Sequence, residues 1–479
     1  MANEYILMLA VFVPTLGAFV LPLMASAPRL RNALAFVFVL AALVGSLALV
    51  PTVLSGRTVD VRLNLPLGLN FVLHADGLAV FMAIVSSLLS TIIVLFSTGY
   101  IRHYDYQNEY YLMVVLFLGA MMGLVYAGNL ILLYVFWEIT AIASWRLIGF
   151  FREKQHVIRA DKAFLVTVFG ALAMLLGFVG VYVQTGSFDL EAIRTTLKAA
   201  PLGTLAVVLI LAGILSKSAT LPFHTWLPDA GVAPSPVTAL LHAAVLVKIG
   251  VYVFARLFIV TFTITPECHT AILWVAAASA LVSAGAAMID TDLKRIIAYS
   301  TVSQIAFIFL GLASGTVIGI AGGLLYILMH GIAKGGLFLC AGIVEQNTHT
   351  KDIRQLGGLL KTMPITAIAF LFCALSVMGV PPFGGFFSKY MVLSGAVESG
   401  QWWIALVFVV GAFMTIVYLL RLFNMIFLGD LKKEAKEGSP VMVACVAVLA
   451  VLALVSGILI SPSAEFARTA VQQMLGTGQ

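Results

Sequence analysis

The sequence predicts an all-α integral membrane protein of about fourteen transmembrane helices. The chain has 479 residues, of which 62% are hydrophobic and only 10% are charged. Soluble globular chains are about 45–50% apolar and about 25% charged. With a mean hydropathy of +1.08, the chain cannot cover itself with polar surface. Apolar runs of about 20 residues, long enough to cross a bilayer core, recur from end to end.

The predicted spans follow one another with short polar loops between them. The first apolar run has no basic residue before it and opens at Glu4, so we expect a span there and not a cleavable signal peptide. The spans are placed at 4–25, 32–54, 78–99, 110–127, 129–149, 161–183, 203–223, 234–257, 270–289, 296–314, 317–343, 364–397, 402–427 and 441–461.

The charges of the loops predict the orientation of the spans. Because basic loops are retained in the cytoplasm, a strong excess of lysine and arginine on one side places both termini on the outer side. Loops after odd-numbered spans contain Arg29, Arg31, Arg102, Arg152, Lys154, Arg159, Lys162, Lys294, Arg295, Lys351, Arg354, Lys361, Lys432, Lys433 and Lys436. The other side has only Arg57, Arg62, Arg194, Lys198 and Arg468.

One outer loop alternates with a period of two. Every odd position from Val59 to Phe71 is apolar, polar residues fall between most of them, and Pro66 and Gly68 are able to make a turn. This pattern predicts a short β-hairpin near 58–72, lying on the outer membrane surface.

Composition and cysteine spacing exclude several classes of function. The net charge of +6 arises from basic residues scattered through short loops, which is not typical of a nucleic-acid-binding patch. The four cysteines contain no C-x-x-C pair, so neither a disulfide framework nor a zinc or iron–sulfur site is predicted. We expect no cofactor and no metal on this chain.

Charged residues within the predicted spans are the candidate functional groups, because a charge at bilayer depth costs about 3 kcal/mol on insertion scales. Glu138 lies near the middle of span 5, where a titrating group in an ion path is favoured over a structural hydrogen bond. Lys217 precedes Pro222, which interrupts span 7 and leaves carbonyls and room for water. The alternative for Lys217 is snorkelling toward the cytoplasmic end.

Three further groups are predicted near the midplane. Lys248 is too deep in span 8 to reach either surface. His330 and Lys334 are spaced i, i+4 and therefore share a helix face, which favours a relay over an isolated core histidine. Lys389 follows a segment of two prolines and three glycines that will break span 12. Broken spans 7 and 12 are each fourth in a set of five, which indicates an internal repeat.

Three arginines lie within about two turns of span ends. Arg146, Arg256 and Arg421 are interpreted mainly as snorkelling anchors. For Arg146 the alternative is a bidentate pair with a carboxylate.

Several segments together resemble one family. The chain is similar to the antiporter-like subunits of respiratory complex I, a family that includes Mrp-type cation/proton antiporter subunits and the membrane arms of energy-converting hydrogenases. The resemblance extends from about residue 75 to 430 and is carried by Phe136–Thr140, Leu221–Asp229, His242–Tyr252, Thr291–Gln304, His330–Leu337 and Gly379–Lys389.

The resemblance implies a fold of fourteen helices with two inverted five-helix repeats, spans 4–8 and 9–13. By this resemblance, Glu138, Lys217, Lys248 and Lys389 match the family's proton-path residues. The supporting residues are His242, His330, Lys334 and His224. Two departures are an arginine at position 146, where the family usually has an uncharged residue, and the end of the chain soon after span 14, without the long lateral helix of the most distal complex I subunit.

We expect the chain to be divided into four parts. Residues 1–109 contain spans 1–3 and the hairpin, 110–260 the first repeat, 261–429 the second repeat, and 430–479 a cytoplasmic loop with the final span. The expected location is the cytoplasmic membrane of a bacterium or archaeon. Expected partners are other membrane subunits, including antiporter-like and quinone- or hydrogenase-module subunits, and the lipid bilayer.

The predicted mechanism is lateral proton transfer. A contact between Glu138 and Lys217 would hold the lysine protonated, and separating the pair would release its proton toward Lys248 and onward to Lys389. We favour a subunit of a redox-driven complex I-like or hydrogenase complex that moves protons, with Na⁺ left open as cargo. The alternatives are a Mrp-type antiporter subunit without a redox partner and, least favoured, a haem-binding quinone enzyme that uses His242 and His330.

Overall fold

Long apolar helices make up most of the protein. The computed structural model describes residues 2–63 and 70–476, and twelve helices in these ranges are long and apolar enough to cross a membrane. Two shorter apolar helices, Thr204–Lys217 and Pro364–Met378, stand where spans 7 and 12 are predicted. The predicted all-α fold of about fourteen spans is therefore confirmed.

The first three spans include the hairpin, which connects the second span to the third. They are α1 (Ala2–Val20), α2 (Pro28–Leu54) and α3 (Gly77–Tyr100), with β1 (Val59–Leu63) and β2 (Phe71–Ala75) between α2 and α3. The strands are antiparallel, with Val59 opposite Ala75 and Leu63 opposite Phe71. The predicted turn at Pro66 and Gly68 lies outside the described residues.

The second strand extends further than the alternation predicted. The prediction ended this strand near 72, whereas β2 continues to Ala75. Its outer edge bonds to the connection after span 4, because His74 N donates to Tyr126 O at 2.7 Å and Gly128 N donates to Val72 O at 2.8 Å. Both faces of β2 carry buried residues. The strand therefore lacks the alternation of apolar and polar side chains from which a sequence predicts a half-exposed strand.

Spans 4 to 8 follow in order. Span 7 begins as α8, and α8 ends at Lys217, where the span is broken. Span 8 runs through α10 and α11. The helices are α4 (Gln107–Val125), α5 (Leu130–Ile148), α6 (Lys154–Thr185), α7 (Leu190–Leu197), α8 (Thr204–Lys217), α9 (Trp226–Asp229), α10 (Ser235–Ala239) and α11 (Leu246–Phe254).

Span 8, predicted at 234–257, is not a continuous α-helix. Two π-helical turns, Leu240–Ala244 and Ala255–Thr261, flank α11. Insertions of this kind bulge a helix and are frequent at functional sites. Gly250 allows the backbone of α11 to pack closely, because a Cβ there would lie 2.7 Å from Ile214 O at the end of α8.

Spans 9 to 14 complete the bundle. Helix α14 lies at its centre and is buried along almost its entire length. The helices are α12 (Pro266–Ile289), α13 (Leu293–Leu312), α14 (Val317–Thr348), α15 (Pro364–Met378), α16 (Gly384–Glu398), α17 (Trp402–Phe427), α18 (Pro440–Ile458) and α19 (Ile460–Leu475). The predicted break in span 12 is the gap between α15 and α16.

The two sets of five spans share a local feature. Asn129 caps α5 and forms an isolated β-bridge with Asp189, which follows span 6. Asp292 caps α13 and forms the same kind of bridge with Asp352, which follows span 11. The first bridge lies on the hairpin side and the second on the side of the basic loops, as expected for inverted units. The inverted repeat remains a prediction, and this pair of bridges supports it.

Two segments near the C-terminus differ from the sequence interpretation. The predicted cytoplasmic loop at 430–439 also contacts a helix. Glu437 Oε1 accepts from the backbone N–H groups of Ile365 and Thr366 and thereby caps α15. After the final span, α19 folds back against α3, where Gly77 N donates to Gln473 Oε1 at 2.9 Å. Helix α19 is amphipathic and too polar to form an apolar run, so a search for membrane spans does not find it.

The two ends of the bundle carry different charge. We call the end formed by the loops after odd-numbered spans the basic face, and the end that bears the hairpin the terminal face. Ion pairs on the basic face include Lys162–Asp229, Arg295–Asp290 and Lys351–Asp292. Which face lies in the cytoplasm remains the prediction made from the loop charges.

Candidate functional site

Lys217 lies at the break in span 7. It is the last residue of α8 and is completely buried. Its Nζ donates to the main-chain oxygen of Trp137 at 3.1 Å, next to Glu138 in sequence. The C-terminal end of a helix carries partial negative charge, which favours an ammonium group at this position.

Glu138 is near Lys217 without being hydrogen-bonded to it. The carboxylate is half-buried on α5, and its Oε1 has no hydrogen-bond partner among the described residues. Val135 and Ile142, which share its helix face, are 48% and 50% exposed. Lys217 Nζ therefore bonds to the Trp137 carbonyl oxygen and not, as predicted, directly to Glu138. Glu138 lies on a helix face that is open at the side of the bundle.

Lys248 has a partner that sequence spacing did not predict. Its Nζ lies 2.6 Å from Nδ1 of His330, and both side chains are fully buried. The i, i+4 spacing suggested that His330 would act with Lys334, but the closest basic group belongs to span 8. Such a contact between residues 82 positions apart depends on the packing of span 8 against α14, which α10 and the π-helical turn Leu240–Ala244 provide.

His242 lies in the first π-helical turn of span 8. Its ring packs against Phe338 with centroids 4.4 Å apart, and neither ring nitrogen has a hydrogen-bond partner among the described residues. His330 lies within electrostatic reach of His242, Lys334 and Lys389 as well as Lys248. Residues predicted in two separate repeats therefore form one central cluster.

Lys334 begins a hydrogen-bonded series of neutral side chains. Its Nζ donates to Ser300 Oγ at 2.6 Å, and Ser300 Oγ is 2.7 Å from Tyr418 OH. Gln304 Nε2 donates to Tyr418 OH at 3.3 Å, and Gln304 Oε1 accepts from Tyr326 OH at 2.5 Å. All of these side chains are buried.

Lys389 lies at the other end of this series. Its Nζ is 5.7 Å from the ring centroid of Tyr326 and donates to the main-chain oxygen of Val377 at 2.6 Å. Val377 is near the end of α15, so Lys389 reaches a free carbonyl at the break in span 12. Both broken spans thus place a lysine beside the C-terminal end of a half-helix, where the helix dipole favours positive charge.

Ser300, Gln304, Tyr326 and Tyr418 were missed by sequence reasoning. The signal that could have found two of them is the polar i, i+4 pair Ser300 and Gln304, which shares one face of the first half of span 10. The tyrosines could not have been singled out, because buried tyrosines are common in helical cores and only their hydroxyl partners distinguish these two.

His224 is separate from the central cluster. It lies in the segment between α8 and α9, half-buried, with an Nδ1 atom that has no hydrogen-bond partner among the described residues. The structure places it on the basic-face side of Lys217, since Lys162 and Asp229 on that face flank the same segment.

The three arginines interpreted as snorkelling anchors have specific partners. Arg146 donates from Nε to Glu109 Oε1 at 2.6 Å, so it has the carboxylate partner that was the alternative to simple snorkelling. Arg256 is 3% exposed and forms a two-bond pair with Asp76, so the snorkelling interpretation is wrong for it. Arg421 donates to the carbonyl oxygens of Met288 and Asp290 at the end of span 9, which is compatible with an anchor.

Comparison with known families identifies the family to which the chain belongs. The family model described as "NADH:quinone oxidoreductase/Mrp antiporter, TM" matches residues 127–415, and "NADH-Ubiquinone oxidoreductase (complex I), chain 5 N-terminus" matches residues 64–111. The chain belongs to this complex I/Mrp antiporter family. The family resemblance predicted from the sequence motifs is thereby confirmed.

Relatives of the chain include Na(+)/H(+) antiporter subunits. The subunit A1 of Staphylococcus haemolyticus is 36% identical over 473 residues, covering 89% of this chain and 58% of that protein. The subunit A1 of Staphylococcus aureus is 35% identical over 452 residues, covering 86% of this chain and 56% of that protein. The chain therefore spans a little over half the length of these curated relatives.

Two solved structures share the fold over the full length of the chain. A chain of the Mrp complex from Dietzia sp. superposes with a TM-score of 0.91 at 26% identity, covering 100% of this chain and 98% of that one. A chain of the membrane-bound sulfane sulfur reductase, an archaeal respiratory membrane complex, superposes with a TM-score of 0.90 at 24% identity, covering 98% and 97%. The second likeness shows the fold alone.

Proposed function

We propose that this chain is the proton-translocating, antiporter-like subunit of a multisubunit Mrp-type cation/proton antiporter. The observation that carries the proposal is the buried series of titratable groups from Lys217 through Lys248 and His330 to Lys389. Ionisable residues at this depth are costly and mark ion pathways. The names of the relatives favour the antiporter over the redox-driven complex that the motifs first suggested.

The proposed path has two parts. Glu138 and Lys217 form the lateral part, whose carboxylate lies on an open face of α5 and can respond to a neighbouring membrane subunit. Lys248, His330 and Lys334 form the central part, which continues through the hydroxyl and amide groups to Lys389. Proton transfer between the parts requires water near the break in span 7, where α8 ends and its carbonyls are free.

The proposed setting follows from the family and the charge pattern. The chain acts with other membrane subunits, because both solved structures are of multisubunit membrane complexes. We propose the cytoplasmic membrane of a bacterium or archaeon as its location, with the terminal face outside. A redox-driven complex remains the second candidate, supported by the family description, which names a quinone oxidoreductase.

The testing experiment reconstitutes the purified complex in proteoliposomes and follows proton movement with a pH-sensitive dye. Glu138→Gln keeps the shape of the side chain and removes its charge, and Lys217→Met removes the ammonium. Each is expected to lower proton flux severely while the complex still assembles. The double variant should be little worse than either single one, because coupled groups are not additive.

The control is Glu398→Gln, which removes a carboxylate at the far end of α16. Proton flux driven by an imposed Na⁺ gradient would support the antiporter, whereas co-purification of iron–sulfur subunits would support the redox-driven complex. Full flux in Glu138→Gln would contradict the proposed role of this pair.

A further inference from the structure

A cavity of about 480 Å³ opens on the terminal face beside the hairpin. It lies between the two strands, the beginning of α3, helix α7 and the π-helical end of span 8. Its wall carries both signs of charge, from Asp60, Arg62, His74, Asp76, Asp189, Glu191, Arg194 and Arg256. None of these residues belongs to the path described above.

Charged groups in this cavity form a continuous series from the medium inward. His74 Nδ1 is 2.8 Å from Asp60 Oδ1, and Asp60 is 39% exposed at the rim. On its other side, His74 Nε2 is 3.7 Å from Asp76 Oδ2. Arg256 donates to both oxygens of Asp76, at 2.6 and 2.7 Å, and closes the floor of the cavity.

The floor of the cavity is connected to the central cluster through span 8. Lys248, Tyr252 and Arg256 follow one another at four-residue intervals, so they lie along one face and rise by about 6 Å per step. Tyr252 OH accepts from Arg256 Nε at 3.0 Å and donates to Val125 O at 2.5 Å. Arg256 itself lies in the π-helical turn, where the helix departs from regular geometry.

We propose, resting on the function proposed above, that this cavity is where protons exchange between the protein and the medium on the terminal face. His74 is the residue that binds the proton, and the Arg256–Asp76 pair is the barrier between the cavity and Lys248.

The roles of the two groups follow from their chemistry. Burial lowers the pKa of His74, but its hydrogen bonds to Asp60 and Asp76 outweigh burial and raise the pKa to about 9. Arg256, which also faces His74, keeps its charge at every pH of interest. It therefore cannot pass a proton on, and its two bonds to Asp76 close the floor of the cavity, while Tyr252 links it to the face of the helix that carries Lys248.

The direction of the pH dependence follows from this raised pKa. Below about pH 9 the imidazole is protonated, and above it the proton is lost. Proton uptake from the terminal face should therefore be nearly constant up to that pH and fall about tenfold for each further pH unit. Asp60→Asn removes one of the groups that raise the pKa, so the midpoint should move at least about one pH unit lower.

The experiment uses the whole complex in proteoliposomes, with the pH varied on the terminal face alone and proton uptake followed by an internal dye. His74→Gln is expected to lower uptake at least about fivefold and to abolish the alkaline midpoint. His156→Gln is the matched control, because His156 is paired with Glu153 at 3.3 Å on the basic face. It should leave the midpoint unchanged.

A second readout does not depend on transport. Nuclear magnetic resonance of ¹⁵N-labelled histidine in the complex should assign to His74 a titration near pH 9 that moves lower in Asp60→Asn. Absence of proton flux in the wild-type complex would overturn the function proposed above together with this inference. Wild-type flux that is unaffected by His74→Gln at every pH would overturn this inference alone, and so would a midpoint that Asp60→Asn does not move.

Discussion

Lys248 Nζ lies 2.6 Å from Nδ1 of His330 in the buried centre of the protein. The two residues come from α11 and α14, so the contact joins the first set of five spans to the second. Each is the other's hydrogen-bond partner, and no carboxylate in the described part of the chain pairs with either. Two basic groups this close cannot both be charged without strong repulsion, so the pair is suited to holding one proton.

The first prediction concerns this pair. Lys248→Met and His330→Gln should each lower proton flux at least tenfold, because glutamine can keep a hydrogen bond but cannot titrate. The double variant should resemble the single ones. Flux is measured by dye quenching in proteoliposomes, with the exposed His349→Gln as control. Flux above half of the wild-type value in His330→Gln would show that the histidine is only structural.

The second prediction concerns the series between Lys334 and Lys389. Tyr418→Phe removes the hydroxyl that Ser300 and Gln304 share, and should reduce proton flux several-fold with little change in thermal stability. A matched control is Tyr110→Phe, since Tyr110 is also buried and its OH is 2.7 Å from Ser97 Oγ, away from the proposed path. Equal losses in the two variants would mean that packing, and not the series, is responsible.

The third prediction concerns Arg146 and Glu109. Glu109 accepts from Arg146 and from Arg152, and the three side chains are 30–41% exposed. Exposed pairs contribute about 0.2–1 kcal/mol. Arg146→Lys should therefore change the free energy of unfolding by less than about 1 kcal/mol, and Glu109→Gln should cost more because two arginines lose one carboxylate. A thermal-shift assay of the complex measures both, and the opposite order would contradict the sharing of Glu109.

The fourth prediction concerns orientation. Single cysteines at Gln155 and Gln355, exposed on the basic face, should react with an impermeant maleimide only from the cytoplasmic side. A cysteine at Thr58 should react only from outside. The four native cysteines are buried, which keeps background labelling low. Labelling of Gln155→Cys from outside would reverse the orientation and the sides assigned to both faces.

The buried charges of the proposed path can be located from the sequence, because charge in a membrane span is so rare. Composition alone requires the solvent of this chain to be lipid, and the apolar runs then fix the number and order of the spans. Within such runs, Glu138, Lys217, Lys248 and Lys389 are conspicuous, and the prolines and glycines before Lys389 locate the break in span 12. Each of these inferences uses local sequence and the cost of burying a charge, which do not depend on how the helices pack.

Only the tertiary structure decided which residues meet. Spacing along one helix suggested His330 with Lys334, whereas packing placed Lys248 against His330 and Ser300 against Lys334. The same holds for Arg256, whose position near a span end indicated snorkelling until the fold brought Asp76 to it from another element. Sequence determines which segments enter the membrane, because insertion follows from the hydropathy of the segment. Pairing depends on contacts between distant segments, so it is decided only when the helices pack.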